Sequence, residues 1–175
     1  MDLDSASIGM LAALAVLVVF SAYFSATETA FTSLNHIRLK TRADSGSRRA
    51  QKTLELAEEY DKLLSTILIG NNIVNITATT VATVLCTKWF HQYGPTVATV
   101  ALTIIILVFG EVTPKSMSKE HPEDFAMFAQ PLLRVFVVIL TPLNYLFTQW
   151  KKLMSKIFRA KGDDGITEEE LVGMV

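Results

Sequence analysis

The sequence predicts an all-α membrane protein with three transmembrane helices and a belt of juxtamembrane amphipathic helices. The first observation is that no charged residue occurs between Asp4 and Glu28, or between Lys62 and Lys88. The second is a further uncharged run over residues 89–110. Spanning a bilayer as a helix takes roughly 20 apolar residues. A soluble core would not need runs of this length, so we expect an integral membrane protein.

The first transmembrane helix is predicted over residues 6–33, and its second half carries Ser21, Ser25 and Glu28. These positions share one face of an α-helix. Serines in membrane helices can pack neighbouring helices or bond back to their own carbonyls, so Ser21 and Ser25 alone are open to either interpretation. Glu28 favours a polar site, because a carboxylate at this depth needs water or a partner.

The segment over residues 36–62 is polar and rich in Lys and Arg. Such an excess in a short loop marks the cytoplasmic side, so we expect the N-terminus outside and the C-terminus in the cytoplasm. Gly46 divides the segment into two short helices. The second, from about Arg48 to Tyr60, is amphipathic and is predicted to lie along the membrane surface. Acidic residues among the basic ones argue against nucleic-acid binding.

The second transmembrane helix is predicted over residues 63–88 and carries three asparagines, Asn71, Asn72 and Asn75. Asn71 and Asn75 are one turn apart on one face, whereas Asn72 is offset by one residue. Each side chain offers a carbonyl oxygen and two N–H donors. We expect at least one of the three to bond another helix, which leaves the others available as ligands.

The third transmembrane helix is predicted over residues 96–113, after a turn at Gly94–Pro95. It delivers one carboxylate, Glu111, and a charge at membrane depth indicates a functional site. Gly110 permits close approach of the backbone, and Pro114 lacks an N–H. We therefore predict a helix break at Pro114 that frees backbone oxygens beside Glu111.

Residues 125–150 are apolar again, but basic residues flank both ends and Pro131 and Pro142 interrupt them. This pattern predicts a helix pair in the inner leaflet, with a fourth, tilted span as the alternative. Residues 161–175 are charged, and we expect them to begin a linker to a cytoplasmic domain absent from this chain. Residues 1–160 then form the transmembrane ion-transport domain.

The three helices therefore offer hydroxyl, amide, carboxylate and backbone oxygens at a similar depth. Such ligands suit Mg²⁺, which takes about six oxygens in near-octahedral geometry. No cluster of Cys or His favours Zn²⁺ or Cu²⁺. The histidines lie outside the predicted core and leave no nucleophile–base pair, so we expect no enzyme.

Three motifs carry a family resemblance: FSATETAF at residues 24–31, IGNNIVN at 69–75 and FGEVTPK at 109–115. They resemble the membrane domain of the CorC/CNNM (cyclin M) magnesium transporters in order and separation, over nearly the whole chain. The resemblance implies a homodimer embedded in membrane lipid and Mg²⁺ export across the plasma (inner) membrane, coupled to Na⁺ entry. It also implies a cytoplasmic CBS-pair domain that binds ATP. A passive divalent-cation channel and a Mg²⁺ sensor that regulates another transporter are the alternatives.

Carried over by position, the resemblance implies a metal site of six residues: Ser21, Ser25, Asn71, Asn75, Gly110 and Glu111. Glu28 and Asn72 are candidates for the ion pathway, and Glu28 either belongs to the Na⁺ pathway or lines the inward cavity. Small residues pack transmembrane interfaces closely, so we expect two copies to face each other along the second and third helices.

Overall fold

The computed structural model describes residues 4–146, 149–150 and 154. Within these residues every regular element is helical, as predicted. The elements are α1 (Ser5–Thr32), α2 (His36–Asp44), α3 (Arg48–Glu58), α4 (Tyr60–Phe90), a 3₁₀ turn (His91–Tyr93), α5 (Gly94–Ile105), a π-helical segment (Ile106–Val112), α6 (Thr113–Glu120) and α7 (Pro122–Ile139). The chain divides into two compact units, one up to Ile139 and one from Leu140 onward.

Two stretches of the described residues are long and apolar enough to cross a membrane, Ser5–Thr32 and Tyr60–Glu120. The second stretch turns back at the 3₁₀ turn, where His91 has a φ of 50°. α5 then packs against α4, so the predicted third helix is the return limb of a hairpin. The number of membrane crossings stays a prediction.

The hairpin is held together by small side chains. Ala78 and Ala82 of α4 form a buried cluster with Ala98 and Leu102 of α5. Small residues let two helix backbones approach closely, which is how helices associate without a hydrophobic driving force in lipid. The hairpin brings the π-helical segment back beside the first half of α4.

α1 is the central helix, because α4, the π-helical segment, α6 and α7 all pack against it. Its second half contributes Phe24, Ala30 and Phe31 to the larger of the two described hydrophobic clusters. The Phe24 ring meets the Phe136 ring of α7 edge to face, with centroids 4.9 Å apart. Aromatic pairs favour this arrangement. These contacts fix the orientation of the α1 face that carries Ser21 and Ser25.

The first end of α1 is joined to the last turn of α4. Asp4 caps α1 by accepting a hydrogen bond from the Ser7 backbone N–H. Lys88 Nζ lies 2.7 and 2.6 Å from the two carboxylate oxygens of Asp4. The hydrogen bond from Lys88, followed by those from Ser7, lowers the pKa of Asp4 to about 2.

The two short helices predicted before α4 are confirmed as α2 and α3. They bury Leu39 and Ala50, and α3 also packs on α7. An ion pair between Arg42 and Asp124 links α2 to the start of α7. Its hydrogen bond raises the pKa of Arg42.

α7 begins at Pro122 and continues through Pro131, so this proline does not end the helix. Tyr23 of α1 donates to the Ala129 carbonyl over 2.8 Å, which joins α1 to α7 two residues before the proline. Residues 141–146 are helical within the second unit. The expected linker at residues 161–175 and the predicted boundary at 160 lie outside the described residues.

Candidate functional site

Ser21 and Ser25 lie on a buried face of α1, and Ser25 is only 1% exposed. Thr27 in the same helix donates its hydroxyl to the Tyr23 carbonyl over 2.6 Å. This bond to a preceding carbonyl is a common way to satisfy a hydroxyl in a helix. Ser25 Oγ differs, because it finds no hydrogen-bond partner among the described residues. A buried hydroxyl without a partner is costly, so Ser25 Oγ is an available ligand atom.

α4 approaches α1 closely at Gly70. A Cβ atom at this position would lie 2.4 Å from the Phe24 ring, so the contact requires glycine. The approach places Asn71 beside Ser21, whose hydroxyl oxygen lies 3.5 Å from Asn71 Oδ1. The predicted motifs of the first and second helices therefore meet at this point.

The other two asparagines have different environments. Asn75 lies one turn beyond Asn71, and its Oδ1 is buried with no partner in the described part of the chain. Asn72 is exposed and donates to the Leu68 carbonyl of its own helix over 2.8 Å. The structure therefore keeps Asn72 out of the group that surrounds Ser21.

The backbone around Glu111 is π-helical over Ile106–Val112. The N–H of Thr113 bonds to the Val108 carbonyl, five residues earlier. Pro114 does not break the helix, because it lies in the first turn of α6. The predicted helix break at Pro114 is therefore wrong. Proline is tolerated in the first turn of a helix, because an N–H there needs no partner within that helix.

Pro114 nevertheless changes the hydrogen bonding of the preceding turn. It has no N–H to offer the Gly110 carbonyl four residues earlier or the Phe109 carbonyl five residues earlier. Gly110 is buried against α1, where an added Cβ would lie 2.9 Å from Ser21 Oγ. Gly110 thus joins Ser21 and Asn71 in one contact group.

Glu111 is partly buried and lines a cleft of about 290 Å³ between α4 and the α5–π-helical limb. Asn75 lines the same cleft from α4. Three threonine side chains add hydroxyl groups to its wall: Thr79, Thr99 and Thr103. The cleft therefore joins the predicted carboxylate to one of the predicted amides.

Sequence reasoning did not identify the threonines of this cleft. Thr79 follows Asn75 by four residues, and Thr103 follows Thr99 by four. Positions four apart share a helix face. Polar residues at this spacing in two adjacent apolar helices were the signal that could have found them.

Glu28 meets a residue that was not predicted as part of the site. Its Oε2 lies 3.0 Å from Nζ of Lys115, which joins α1 to α6. Both side chains are partly exposed, 31% for Glu28 and 41% for Lys115. Glu28 therefore lies at the edge of the site with a cationic partner of its own.

The arrangement can hold a cation only with mixed oxygen donors. No three Asp, Glu, His or Cys side chains gather to form a metal site anywhere in the described residues. Glu111 supplies one carboxylate beside neutral hydroxyl, amide and carbonyl oxygens. Hard cations such as Mg²⁺ and Ca²⁺ accept these ligand types.

Comparison with known proteins gives a consistent set of relatives. The family model of the cyclin M transmembrane N-terminal domain matches residues 12–175. The chain is 38% identical over 165 residues to a UPF0053 protein of Haemophilus influenzae, covering 93% of this chain and 39% of that protein. It is 35% identical over 155 residues to the UPF0053 inner membrane protein YfjD of Escherichia coli, covering 86% of this chain and 36% of that protein.

A more distant relative has a name that states a cargo. The chain is 22% identical over 178 residues to the polyamine export protein of Haemophilus influenzae, covering 93% of this chain and 41% of that protein. The chain thus spans about two fifths of the length of each relative named here.

Proposed function

This chain belongs to the cyclin M (CNNM) family of transmembrane domains, and from that premise we propose that it transports Mg²⁺ across the plasma membrane by Na⁺-coupled export. The family consists of membrane transporter domains and is not a known enzyme family. The proposed ligands are oxygen atoms of Ser21, Ser25, Asn71, Asn75, Gly110 and Glu111.

The observation that carries the proposal is the pair of buried oxygen atoms without partners, Ser25 Oγ and Asn75 Oδ1. Ser25 Oγ lies one turn beyond Ser21 on α1, and Asn75 Oδ1 lies one turn beyond Asn71 on α4. The two oxygens are on opposite sides of the contact between Ser21 and Asn71. Nearly all buried polar atoms in proteins are satisfied, so these two oxygens, one of which shares a cleft with Glu111, are candidates for binding a ligand. A hydrated divalent cation near Ser21 and Asn71 would satisfy these oxygens, directly or through its bound water, and would offset the charge of Glu111.

The chemistry of these donors favours Mg²⁺ over a transition metal. They are hydroxyl, amide, carbonyl and carboxylate oxygens, which suit hard cations. Mg²⁺ usually keeps several water molecules when it binds. The cleft beside Glu111 offers room for such water, lined by threonine hydroxyls.

The working unit that we propose is a homodimer in the plasma membrane with three spans per subunit. The N-terminus lies outside and the C-terminus in the cytoplasm, because basic residues are concentrated in the segment between α1 and α4. The relatives extend well beyond this chain. We propose that a CBS-pair domain that binds ATP follows in the full-length protein.

A polyamine is the second candidate cargo. The cleft that contains Glu111 shares Asn75 and Thr79 with a groove that continues along α4 to Thr83 and Val84. A long, mainly apolar groove with threonine hydroxyls along it and a carboxylate at one end fits the methylene chain and ammonium group of a linear organic cation. Two relatives, at 22% and 25% identity, are named polyamine export proteins.

Flux measurements on proteoliposomes separate these candidates. We expect purified chain to move Mg²⁺, reported by a trapped indicator, and an imposed Na⁺ gradient to accelerate that movement. Mg²⁺ flux whose rate is independent of the Na⁺ gradient would indicate a passive channel. Flux of spermidine without Mg²⁺ flux would favour the polyamine. No flux of either cargo, with Mg²⁺ binding retained, would favour a sensor that regulates another transporter.

A further inference from the structure

The ion pair between Glu28 and Lys115 borders the proposed cation site. Glu28 lies one turn beyond Ser25 on α1, and Lys115 lies in the first turn of α6. The other three ion pairs in the described part of the chain lie elsewhere: Lys62–Glu59 at the start of α4, Lys88–Asp4 at its end, and Arg42–Asp124 between α2 and α7.

The sequence also places Lys115 one helical turn from a second carboxylate, Glu111. Lys115 follows Glu111 by four residues, and the intervening Val112 and Thr113 have right-handed helical dihedral angles. A Glu followed by a Lys four residues later is the favourable order for a pair along a helix. The Lys115 ammonium can therefore pair with Glu28 across the helices or with Glu111 along its own chain. In the structure it pairs with Glu28.

We propose that Glu28 is a positioning residue that holds the Lys115 ammonium away from Glu111, so that the Glu111 carboxylate stays open to Mg²⁺. This inference rests on the proposed function. Without Glu28, the Lys115 ammonium would neutralise Glu111. The Lys115 ammonium and the Glu111 carboxylate belong to one chain, so the effective concentration of the ammonium at Glu111 would be high. Mg²⁺ would have to displace the ammonium in order to bind.

The inference is tested by Mg²⁺ titration calorimetry on the purified 175-residue chain in detergent. Glu28→Gln should weaken Mg²⁺ binding by about two- to five-fold, the range typical of a partly exposed ion pair. Lys115→Met should bind as tightly as the parent or more tightly. In the double variant Glu28→Gln/Lys115→Met, the affinity should return to that of Lys115→Met alone.

The double variant separates this role from two simpler ones. If the pair only joined α1 to α6, both single variants would weaken binding together, and the inference would fail. If Glu28 and Lys115 acted only through their charges at a distance, the effects of the two substitutions on Mg²⁺ affinity would add. The double variant would then bind Mg²⁺ more weakly than Lys115→Met. That result would also overturn the inference.

Lys119→Met is the matched control, because it removes the same charge one turn further along α6. It should leave the affinity unchanged. If Glu28→Gln fails to fold, the inference still requires that Lys115→Met bind Mg²⁺ at least as tightly as Lys119→Met, and weaker binding in Lys115→Met would overturn it. Absence of Mg²⁺ binding by the parent would refute the proposed function, whereas parent-like binding by Glu28→Gln would refute only the role of Glu28.

Discussion

At the scale of single residues, Ser25 gives the proposed site its most specific test. Its hydroxyl is buried and has no partner in the described structure, so Ser25→Ala removes a polar atom that makes no folding contact. Replacing an unsatisfied buried group by an apolar one can be neutral or stabilising. We therefore expect the melting temperature of the metal-free variant to stay the same or rise. Mg²⁺ affinity should fall roughly five-fold, equivalent to about 1 kcal/mol.

The control for this variant is Thr27→Val, which removes a hydroxyl that already bonds to the Tyr23 carbonyl. It should leave Mg²⁺ affinity unchanged. Thermal unfolding with and without Mg²⁺ measures both quantities in one experiment. Lower stability in Ser25→Ala with unchanged affinity would show that Ser25 is a structural residue.

The contact among three of the proposed site residues could be predicted from residue type and spacing. Ser21, Asn71 and Gly110 meet in the structure, although they come from three separate segments. Polar and small residues in apolar runs are few, and this scarcity made them identifiable. The pairing of Glu28 with Lys115 could not be predicted, because it depends on the position of α6 beside α1.

At the scale of the helices, the irregular backbone near Glu111 was predicted and its form was not. Gly110 and Pro114 indicated a break, whereas the structure has a π-helical segment that begins at Ile106 and then continues as α6. A π-helical turn holds an extra residue, and such turns often occur at functional sites. Whether the helix stops or widens depends on contacts with α1, which the local sequence does not contain.

The link between α1 and α4 at Asp4 predicts a specific pH dependence. Asp4→Asn can still cap α1, but it loses the ion pair with Lys88 and should lower the melting temperature slightly at pH 7. The pKa of Asp4 is lowered to about 2 in the folded chain, below the ordinary value of about 3.9. Its contribution is therefore fully present above about pH 4 and is lost as pH falls toward 2.

The measurement compares parent and Asp4→Asn by thermal unfolding in detergent at pH 7 and pH 5. The difference in melting temperature should be equal at the two pH values and should shrink at high salt, which screens an exposed ion pair. A difference that disappears between pH 7 and pH 5 would mean that Lys88 does not stabilise the Asp4 carboxylate.

At the scale of the whole molecule, the apolar runs predicted the main helices because a bilayer fixes their length. The first run became α1, and the second and third became a hairpin whose two limbs pack through alanines. The hairpin brings Glu111 and Asn75 to the same cleft. The positions of the two residues along their predicted helices had indicated a similar depth. Pairing of two copies stays a prediction, since it depends on surfaces that one chain does not bury.

The central claim is that α1, α4 and the π-helical segment together bind Mg²⁺ through the Glu111 carboxylate. Glu111→Gln keeps the size and one carbonyl oxygen of the side chain but removes its charge. Losing a charged partner costs about 1.5–3 kcal/mol, so we expect Mg²⁺ affinity to fall roughly 10- to 150-fold.

The most direct measurement is Mg²⁺ titration calorimetry on the parent and on Glu111→Gln from pH 5 to pH 8, with size-exclusion chromatography to establish that both fold alike. We expect a tight isotherm for the parent and a much weaker one for Glu111→Gln at every pH in this range. Equal affinity of the two proteins across this range would show that the Glu111 carboxylate is not a ligand, and the site proposed here would be wrong.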